Sequence, residues 1–200
     1  GLGMAIGVAN DDGNLLDAGK GHLVLLKPAP SLTRGFLGDW QRYIDTYFSW
    51  EKNRNVWYHG DYIKRDEHGQ LTLHGRSDDT INVGGVRTGA GEIESALMDH
   101  EAVQEAAVIG VPDPLKGSDI VCFVLLREGN EPSEDLRDAL AAHVAKVMGK
   151  NLRPKAVTFV PDLPRTRSMK IVRKAIRKKY CGEDPGDLAS VENPEALDYI

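Results

Sequence analysis

The chain has 200 residues, of which 41% are apolar, enough for one ordinary domain or for a small domain with part of another. Its 25 basic and 30 acidic residues give a net charge of −5, so the total charge does not indicate binding to nucleic acid or to an anionic membrane. No apolar run is long enough to span a bilayer, and the cysteines, Cys122 and Cys181, form no metal-ligand pattern. We therefore expect a soluble, cytoplasmic protein in which Cys122, within an apolar run, is a buried structural thiol.

Short strand patterns dominate the residues before position 78. The predicted elements are strands at 4–9 and 22–27, a helix at 39–47, and a hairpin with strands at 56–65 and 70–74. The period-two alternation then stops at a short polar segment, residues 76–79, and we place a domain boundary there. Residues 1–77 are predicted to be β-rich and residues 78–200 to form a second domain.

Residues 78–200 mix strand and helix patterns. The predicted elements are a strand at 80–83, a helix at 91–98, strands at 106–111 and 120–126, a helix between N-cap Ser133 and Gly149, a strand at 156–160 and a basic helix at 170–180. In the helix after Ser133, one face is predicted to carry Leu136, Leu140, Val144 and Val147. This order of elements predicts an α+β fold in which helices cover a small sheet. The acidic tail from Glu183 to Ile200 is expected to wrap around the domain or to fray.

Polar residues and glycines concentrate around the boundary, as a ligand clamp would require. A carboxylate such as Asp61 can accept both hydroxyls of a ribose, and an arginine such as Arg87 can pair with a phosphate. The adjacent Gly84 and Gly85 allow the backbone to approach a narrow ligand. A purely structural role is the alternative: Asp61 could cap a turn, the glycines could form a hairpin turn, and Arg76 or Arg87 could belong to surface ion pairs.

A second polar segment precedes the basic helix. Between Arg165 and Lys179 there are eight basic residues and no acidic one, which predicts an electropositive surface. Lys170 is predicted at the tip of a loop rich in hydroxyls and cations, where its ammonium can neutralise charge that develops on a carboxylate or phosphoryl oxygen. The alternative is a solvated basic helix face whose apolar residues pack inward.

Together these segments resemble the C-terminal motifs of the adenylate-forming superfamily, which includes acyl-CoA synthetases, luciferases and the adenylation domains of peptide synthetases. The matching segments, in family order, are Tyr58-His59-Gly60-Asp61, the stretch from Gly75 to Glu94, and the stretch from Pro164 to Lys170. The segments at 42–50, 78–82 and 92–97 look closest to the acetyl-CoA synthetase branch. This resemblance implies the end of a large domain at 1–77, followed by a mobile C-terminal lid domain at 78–200.

The resemblance also implies substrates and residue roles. A short- or medium-chain carboxylate and Mg-ATP would give acyl-adenylate and pyrophosphate, and CoA would then give acyl-CoA and AMP. Asp61 and Arg76 would serve the ribose, Arg87 the phosphate, and Asp78 the hinge. The turn with Asn82, Gly84 and Gly85 would line the face for thioester formation. Lys170 would serve adenylation alone, and a lysine acetyltransferase acting on it is a possible partner.

Several features depart from the family pattern. Met169 stands where many relatives have glycine, Arg165 stands where many have lysine, and Ala145 stands where the acetyl-CoA synthetase branch often has an arginine for CoA. CoA contacts would then come from Lys146, Lys150, Arg153 or Lys155, or the acceptor differs.

The family's phosphate loop and magnesium-holding segment do not occur in this sequence, so the missing N-terminal domain would hold most of the Mg²⁺ and the chain alone would be inactive. Two other readings remain open. The chain could belong to an adenylation domain that loads a carrier protein, or it could be a free-standing, lid-like binding module.

Overall fold

The computed structural model describes residues 3–53 and 55–200, and the chain divides into two compact units, Gly1–Asp78 and Asp79–Ile200. We call them the N-terminal unit and the C-terminal unit, and each is described by itself. The division falls after Asp78, one residue beyond the boundary that the sequence suggests. Each unit contains a five-stranded sheet together with helix, so the predicted α+β fold class is confirmed.

The N-terminal unit is built on an antiparallel sheet. Its strands are β1 (Ile6–Ala9), β2 (Leu15–Leu16), β3 (Gly19–Leu25), β4 (Trp57–Arg65) and β5 (Leu71–Arg76), in the order β2-β1-β3-β4-β5. β2 was not predicted, because two residues are too few to show an alternating pattern. The predicted hairpin is confirmed as β4 and β5, whose register places Asp61 opposite Arg76.

An aromatic cluster packs helix α1 (Trp40–Tyr47) against this sheet. The helix begins where predicted, because the Asp39 carboxylate accepts a backbone N–H bond from its first turn. Tyr43 is buried beside Trp57, and the ring of Tyr47 stacks on Trp57 with 3.8 Å between centroids. These contacts fix the start of β4, the strand that carries Asp61.

The C-terminal unit has a mixed sheet around one central strand. Its elements are β6 (Thr80–Val83), β7 (Val86–Gly89), α2 (Ala90–Met98), β8 (Val103–Asp113), β9 (Gly117–Leu126), α3 (Glu134–Met148), β10 (Ala156–Phe159) and α4 (Arg173–Tyr180). β9 pairs antiparallel with β8, parallel with β10 and, at its first residue, with β6. β7 was not predicted, because the pattern after Gly85 is short and merges with the following helix.

Helices cover both faces of this sheet. Because side chains alternate along a strand, Ile120 and Cys122 of β9 pack in a cluster with α2 and α3, whereas Val121 and Phe123 pack with α4. Cys122 is fully buried, as predicted, and burial raises the pKa of its thiol. No helix in the described part of the chain combines the length and apolar composition that a membrane span requires.

Helix α3 confirms both predicted ends and corrects its predicted inner face. The Ser133 hydroxyl accepts a backbone N–H bond in the first turn, and the helix stops at Gly149, whose φ is 104°. Leu140 is buried, but Val147 is 53% exposed and does not face the core as expected. The buried row advances by four residues and reaches Met148 instead, because positions four apart lie on one face of a helix.

The region around Lys170 differs from the prediction of a helix at 170–180. Helix α4 begins only at Arg173, because the preceding residues form a tight turn in which Arg165 pairs with Ile171 as an isolated β-bridge. Of the two expectations for the tail, wrapping is met and fraying is not, because Val191 pairs with Thr166 and Asn193 bonds to Asp162. The tail forms a short 3-10 helix, Pro194–Tyr199, that buries Leu197 against the cluster beneath α4.

Candidate functional site

In the N-terminal unit, Asp61 and Arg76 form an ion pair across the β4–β5 ladder. The Nη1 group of Arg76 donates to Asp61 Oδ1 at 3.1 Å and to the His59 carbonyl at 3.2 Å. The other carboxylate oxygen, Asp61 Oδ2, lies 3.4 Å from His59 Nε2. The Asp61 side chain is 20% exposed. A carboxylate has about four acceptor positions, so Asp61 can still accept hydrogen bonds from a diol while paired.

Gly60 makes room for this pair. Its φ of 81° lies in the left-handed region, and a Cβ placed there would be only 2.6 Å from Arg76 Nη2. The β4–β5 register also shifts between Asp61 and Ile63. The glycine therefore lets the Arg76 guanidinium lie close to the backbone beside Asp61, where the strand is bulged.

Asp78 is the last residue of the N-terminal unit, and its side chain is exposed. Arg76 Nε lies 3.5 Å from Asp78 Oδ1, so Arg76 stands near both Asp61 and Asp78. Exposed pairs of this kind contribute little to stability, so the contact with Arg76 holds the Asp78 side chain only weakly.

Sequence reasoning missed His22, which fixes the residue before Asp78. Its ring Nδ1 lies 3.0 Å from Ser77 Oγ, and its Nε2 lies 3.0 Å from Asp11 Oδ1. The Ser77 N–H also donates to the Gly60 carbonyl at 2.8 Å. His22 and Ser77 are 55 residues apart, so no local pattern could have joined them.

In the C-terminal unit, Asn82 and Arg87 face each other across the β6–β7 hairpin. Its turn is Gly84-Gly85, with φ values of 57° and 85°, which is the geometry of a two-residue turn that requires positive φ at both positions. Asn82 Oδ1 accepts the Gly85 N–H at 3.1 Å, and the Gly84 N–H donates to the Lys116 carbonyl at 2.8 Å. The hairpin-turn reading of the glycines is therefore correct.

The same turn leaves open space that a ligand can use. Apart from its chain neighbours, no described residue has a heavy atom within 4 Å of a Cβ placed on Gly84 or Gly85, and both glycines are exposed. The conformation alone accounts for glycine here. The absence of side chains also leaves bare backbone at the tip, so the structural and the functional readings are compatible.

A groove of about 750 Å³ lies beside this turn, and we call it the basic groove because its charged lining is four cations, Lys116, Lys150, Arg153 and Lys155, against two carboxylates, Asp113 and Asp119. Arg153 pairs with Asp138 at 3.1 Å, and Lys155 Nζ lies 2.6 Å from Asp119 Oδ2. This hydrogen bond raises the pKa of Lys155. Three of the four lysines and arginines suggested for CoA thus lie together, whereas Lys146 does not line the groove.

Lys170 is exposed at a tight turn. The Thr166 N–H donates to the Lys170 carbonyl at 2.9 Å, and Thr166 Oγ1 accepts the Lys170 N–H at 3.2 Å. Met169 has a φ of 64°, the one non-glycine residue with positive φ among those described. The prediction that Lys170 lies at an accessible tip is therefore met by a turn and not by a helix start.

The predicted electropositive surface needs correction, because the outermost arginines of the loop turn inward. Arg165 forms two bonds to Glu105, at 2.6 and 2.5 Å, and Arg173 forms two bonds to Glu94, at 2.7 and 2.6 Å. These hydrogen bonds raise the pKa of both guanidinium groups. The basic surface of the stretch therefore depends mainly on its remaining cations, because Arg165 and Arg173 are paired and only partly exposed.

No group of three or more His, Cys, Asp or Glu side chains within residues 3–53 and 55–200 is arranged to hold a metal ion. The described residues thus offer Mg²⁺ no cluster of this kind.

Comparison with known proteins agrees with the motif order. Residues 92–170 match the family described as the AMP-binding enzyme C-terminal domain. The chain is 43% identical to the acetyl-coenzyme A synthetase of Methanothrix soehngenii, over 99% of this chain and 30% of that protein. Residues 92–170 thus carry the features of an AMP-binding enzyme C-terminal domain, and nearly the whole chain is similar to the last part of acetyl-coenzyme A synthetases. The resemblance of the three sequence segments is thereby confirmed.

Two further relatives support the assignment. The acetyl-coenzyme A synthetase of Gemmatimonas aurantiaca is 43% identical over 98% of this chain and 30% of its own length. The acetoacetyl-CoA synthetase from Streptomyces lividans has a similar structure, with a TM-score of 0.88 and 28% identity, covering 100% of this chain and 30% of that one. The chain spans about 30% of the length of the curated relatives it matches.

Proposed function

We propose that this chain is the C-terminal part of an AMP-forming acyl-CoA synthetase. In the first half-reaction a carboxylate oxygen attacks the α-phosphorus of ATP, giving acyl-adenylate and releasing pyrophosphate. In the second, the thiol of CoA attacks the acyl carbon, AMP leaves, and the thiol proton is released. The acid is of short or medium chain, because the relatives above are acetyl- and acetoacetyl-CoA synthetases.

The N-terminal unit would hold the ribose of the nucleotide. Asp61 would accept hydrogen bonds from the two hydroxyls, and the ion pair with Arg76 orients the Asp61 carboxylate for that task. Asp78 would be the hinge residue. Its exposed side chain and its position at the end of the unit support this role.

The C-terminal unit would supply phosphate and thioester contacts. Arg87 would contact the phosphate, while the bare turn formed by Asn82, Gly84 and Gly85 would leave space for the narrow pantetheine arm of CoA. The neighbouring groove with Lys150, Arg153 and Lys155 is a candidate for the phosphates of CoA, since Ala145 stands where the branch often has arginine.

Lys170 would stabilise charge on the reacting carboxylate and α-phosphate during adenylation. The single observation that carries the proposal is the exposure of this ammonium at a hydrogen-bonded turn, in a chain whose other family motifs are in order. A rotation about Asp78 would then withdraw Lys170 before thioester formation, so that one compact site can serve two transition states.

Replacement of Lys170 by alanine in the complete enzyme tests this function. We expect ATP-dependent pyrophosphate release to fall about 10²–10³-fold, the range for loss of one oriented charge donor, while supplied acyl-adenylate is still converted to thioester. Lys174→Ala, an exposed lysine on the next helical turn, is the matched control and should leave both half-reactions unchanged. Equal loss of both half-reactions in Lys170→Ala would contradict the assigned role.

We also propose that the chain by itself forms no acyl-adenylate, since the family's phosphate loop does not occur in its sequence. Mg²⁺ would be held mainly by the preceding domain. Pyrophosphate release from this polypeptide with acetate, propionate or butyrate and Mg-ATP would overturn this proposal. Inactivity of the chain joined to its upstream domain would instead favour a separate binding module.

One observation favours a different acceptor. Ala145 removes the arginine expected for the nucleotide end of CoA, so a carrier protein with a phosphopantetheine arm is the second candidate. Both acceptors present the same thiol. Competition assays of the complete enzyme with CoA and with such a carrier distinguish them, and charge removal at Lys150 should raise the KM for CoA if the basic groove binds its phosphates.

Regulation by a lysine acetyltransferase is a further part of the proposal. The exposed Lys170 side chain is accessible, and acetylation removes the charge that adenylation requires. Cys122 and Cys181 are both free thiols, which fits a cytoplasmic location. Mass spectrometry of the protein from its host would detect the modified lysine.

A further inference from the structure

The loop that carries Lys170 is held at both ends by two-bond ion pairs. Arg165, five residues before Lys170, binds both oxygens of Glu105 on β8. Arg173, three residues after it, binds both oxygens of Glu94 on α2. Each guanidinium is oriented by two parallel bonds, which fix the direction of its side chain as well as its position.

The Glu94–Arg173 pair is the more deeply anchored. The Glu94 side chain is 7% exposed, and its Oε1 also accepts the backbone N–H of Val108 in the central part of β8 at 2.9 Å. On its other side Arg173 lies 3.7 Å from Asp79, the first residue of the C-terminal unit. Arg173 thus connects α2, the residue after the proposed hinge and the loop with Lys170.

We propose that Arg173 is a positioning residue that acts through Lys170, with Arg165 as its counterpart at the other end of the loop. This inference rests on the proposed role of Lys170 in adenylation. Lysine has a long, flexible side chain, so the backbone beneath it must be fixed if the ammonium is to meet a developing charge. The Glu94–Arg173 pair supplies that fixed base and makes the loop move as one body with Asp79.

The planar fork of arginine is essential to this argument. A lysine at position 173 would keep the charge and one bond to Glu94, but it would lose the second, parallel bond and the contact with Asp79 would weaken. Arg173→Lys therefore loosens the loop while avoiding an unpaired charge in the interior. The same logic holds for Arg165→Lys with Glu105.

The test measures the effect of Arg173→Lys on the complete enzyme twice, once with Lys170 present and once in a Lys170→Ala background. We expect kcat for adenylation to fall about 10²-fold, as for a reacting group displaced by roughly 1 Å, with little change in the KM for ATP and unchanged thioester formation from supplied acyl-adenylate. In a Lys170→Ala background the same substitution should have no further effect on adenylation. Arg167→Lys, on an exposed arginine of the same loop, is the matched control.

Three outcomes would overturn the inference: equal loss of both half-reactions, an additive effect in the Lys170→Ala background, or wild-type adenylation by Arg173→Lys while Lys170→Ala is impaired. The last of these leaves the proposed function intact. Unchanged adenylation in Lys170→Ala itself would instead refute the proposed role of Lys170, and so the two failures are distinguishable.

Amide hydrogen exchange on the present chain gives a readout that does not depend on activity. The Lys170 N–H, which donates to Thr166 Oγ1, and the Thr166 N–H, which donates to the Lys170 carbonyl, should exchange ~10-fold faster in Arg173→Lys. Amides of β9 should be unaffected. Uniformly faster exchange across the C-terminal unit would indicate a general loss of stability and would count against a positioning role.

Discussion

The turn at Gly84-Gly85 and the loop of Lys170 are both exposed tips of the C-terminal unit, yet they are built in opposite ways. The glycine turn is held by backbone hydrogen bonds and one asparagine, and it presents no side chain. The Lys170 loop is held at both ends by arginine–carboxylate pairs, of which Glu94 is buried and Glu105 half-buried, and it presents a charge. A site that must only leave space needs a backbone conformation, whereas a site that must place a charge needs side chains that brace it.

The largest effect is expected where the bracing is deepest. Glu94→Ala should destabilise the C-terminal unit by about 3 kcal/mol, because Arg173 loses its buried partner and the Val108 N–H loses its acceptor. Asp79 remains near Arg173, so the loss of stability should be among the smaller ones expected for a broken buried ion pair. Hydrogen exchange of β8 and β9 amides in urea measures it. Glu134→Ala, at an exposed carboxylate paired with Arg137, should stay within about 0.5 kcal/mol.

The glycine turn should respond to backbone conformation instead. Gly85→Ala should cost about 1–2 kcal/mol, because an alanine must adopt a φ of 85° although nothing obstructs its methyl group. Asparagine tolerates this region better, so Gly85→Asn should cost less. Thermal unfolding followed by circular dichroism compares the two. Equal losses would mean that an unseen contact, and not φ, demands glycine.

Met169 offers the opposite experiment, since the Lys170 loop already contains a residue in an unfavourable conformation. Met169→Asn should stabilise the chain by about 0.5 kcal/mol, because asparagine occupies the left-handed region more readily than methionine. Ser168→Asn, next to it in the loop, should give no gain. A loss of stability in Met169→Asn would show that the methionine side chain makes a contact worth more than the strain.

The smallest effect concerns the support of the glycine turn. The Asp113 carboxylate accepts the backbone N–H groups of Lys116 and Leu115, which lowers its pKa, and the Lys116 carbonyl in turn receives the Gly84 N–H. A lowered folded-state pKa means that this support is present above the usual value of 3.8 and is lost as the pH falls through the lower folded-state pKa. NMR titration should give Asp113 a pKa below 3.8. A measured pKa of Asp113 at or above 3.8 would contradict a supporting role of this carboxylate for the glycine turn.

The contrast also marks what the sequence could predict. The ends of α3 were predictable because Ser133 and Gly149 cap the helix through contacts within one helical turn of their own positions. The glycine turn was recognisable from two adjacent residues. The braces of the Lys170 loop were not, because Arg173 and Glu94 are 79 residues apart and Arg165 and Glu105 are 60 apart. A run of cations predicts a charged surface equally well whether or not two of its members turn inward.

The packing of the tail has a consequence for biosynthesis. Asn193 donates to Asp162 and to the Leu163 carbonyl, it accepts the Arg165 N–H, and Val191 pairs with Thr166, so the base of the Lys170 loop is completed by residues about 30 positions later. During translation the central strands can assemble earlier, since β8 and β9 are neighbours in the chain. The lysine tip would take its final form only after residues up to Leu197 have left the ribosome, making it among the last parts of the chain to mature.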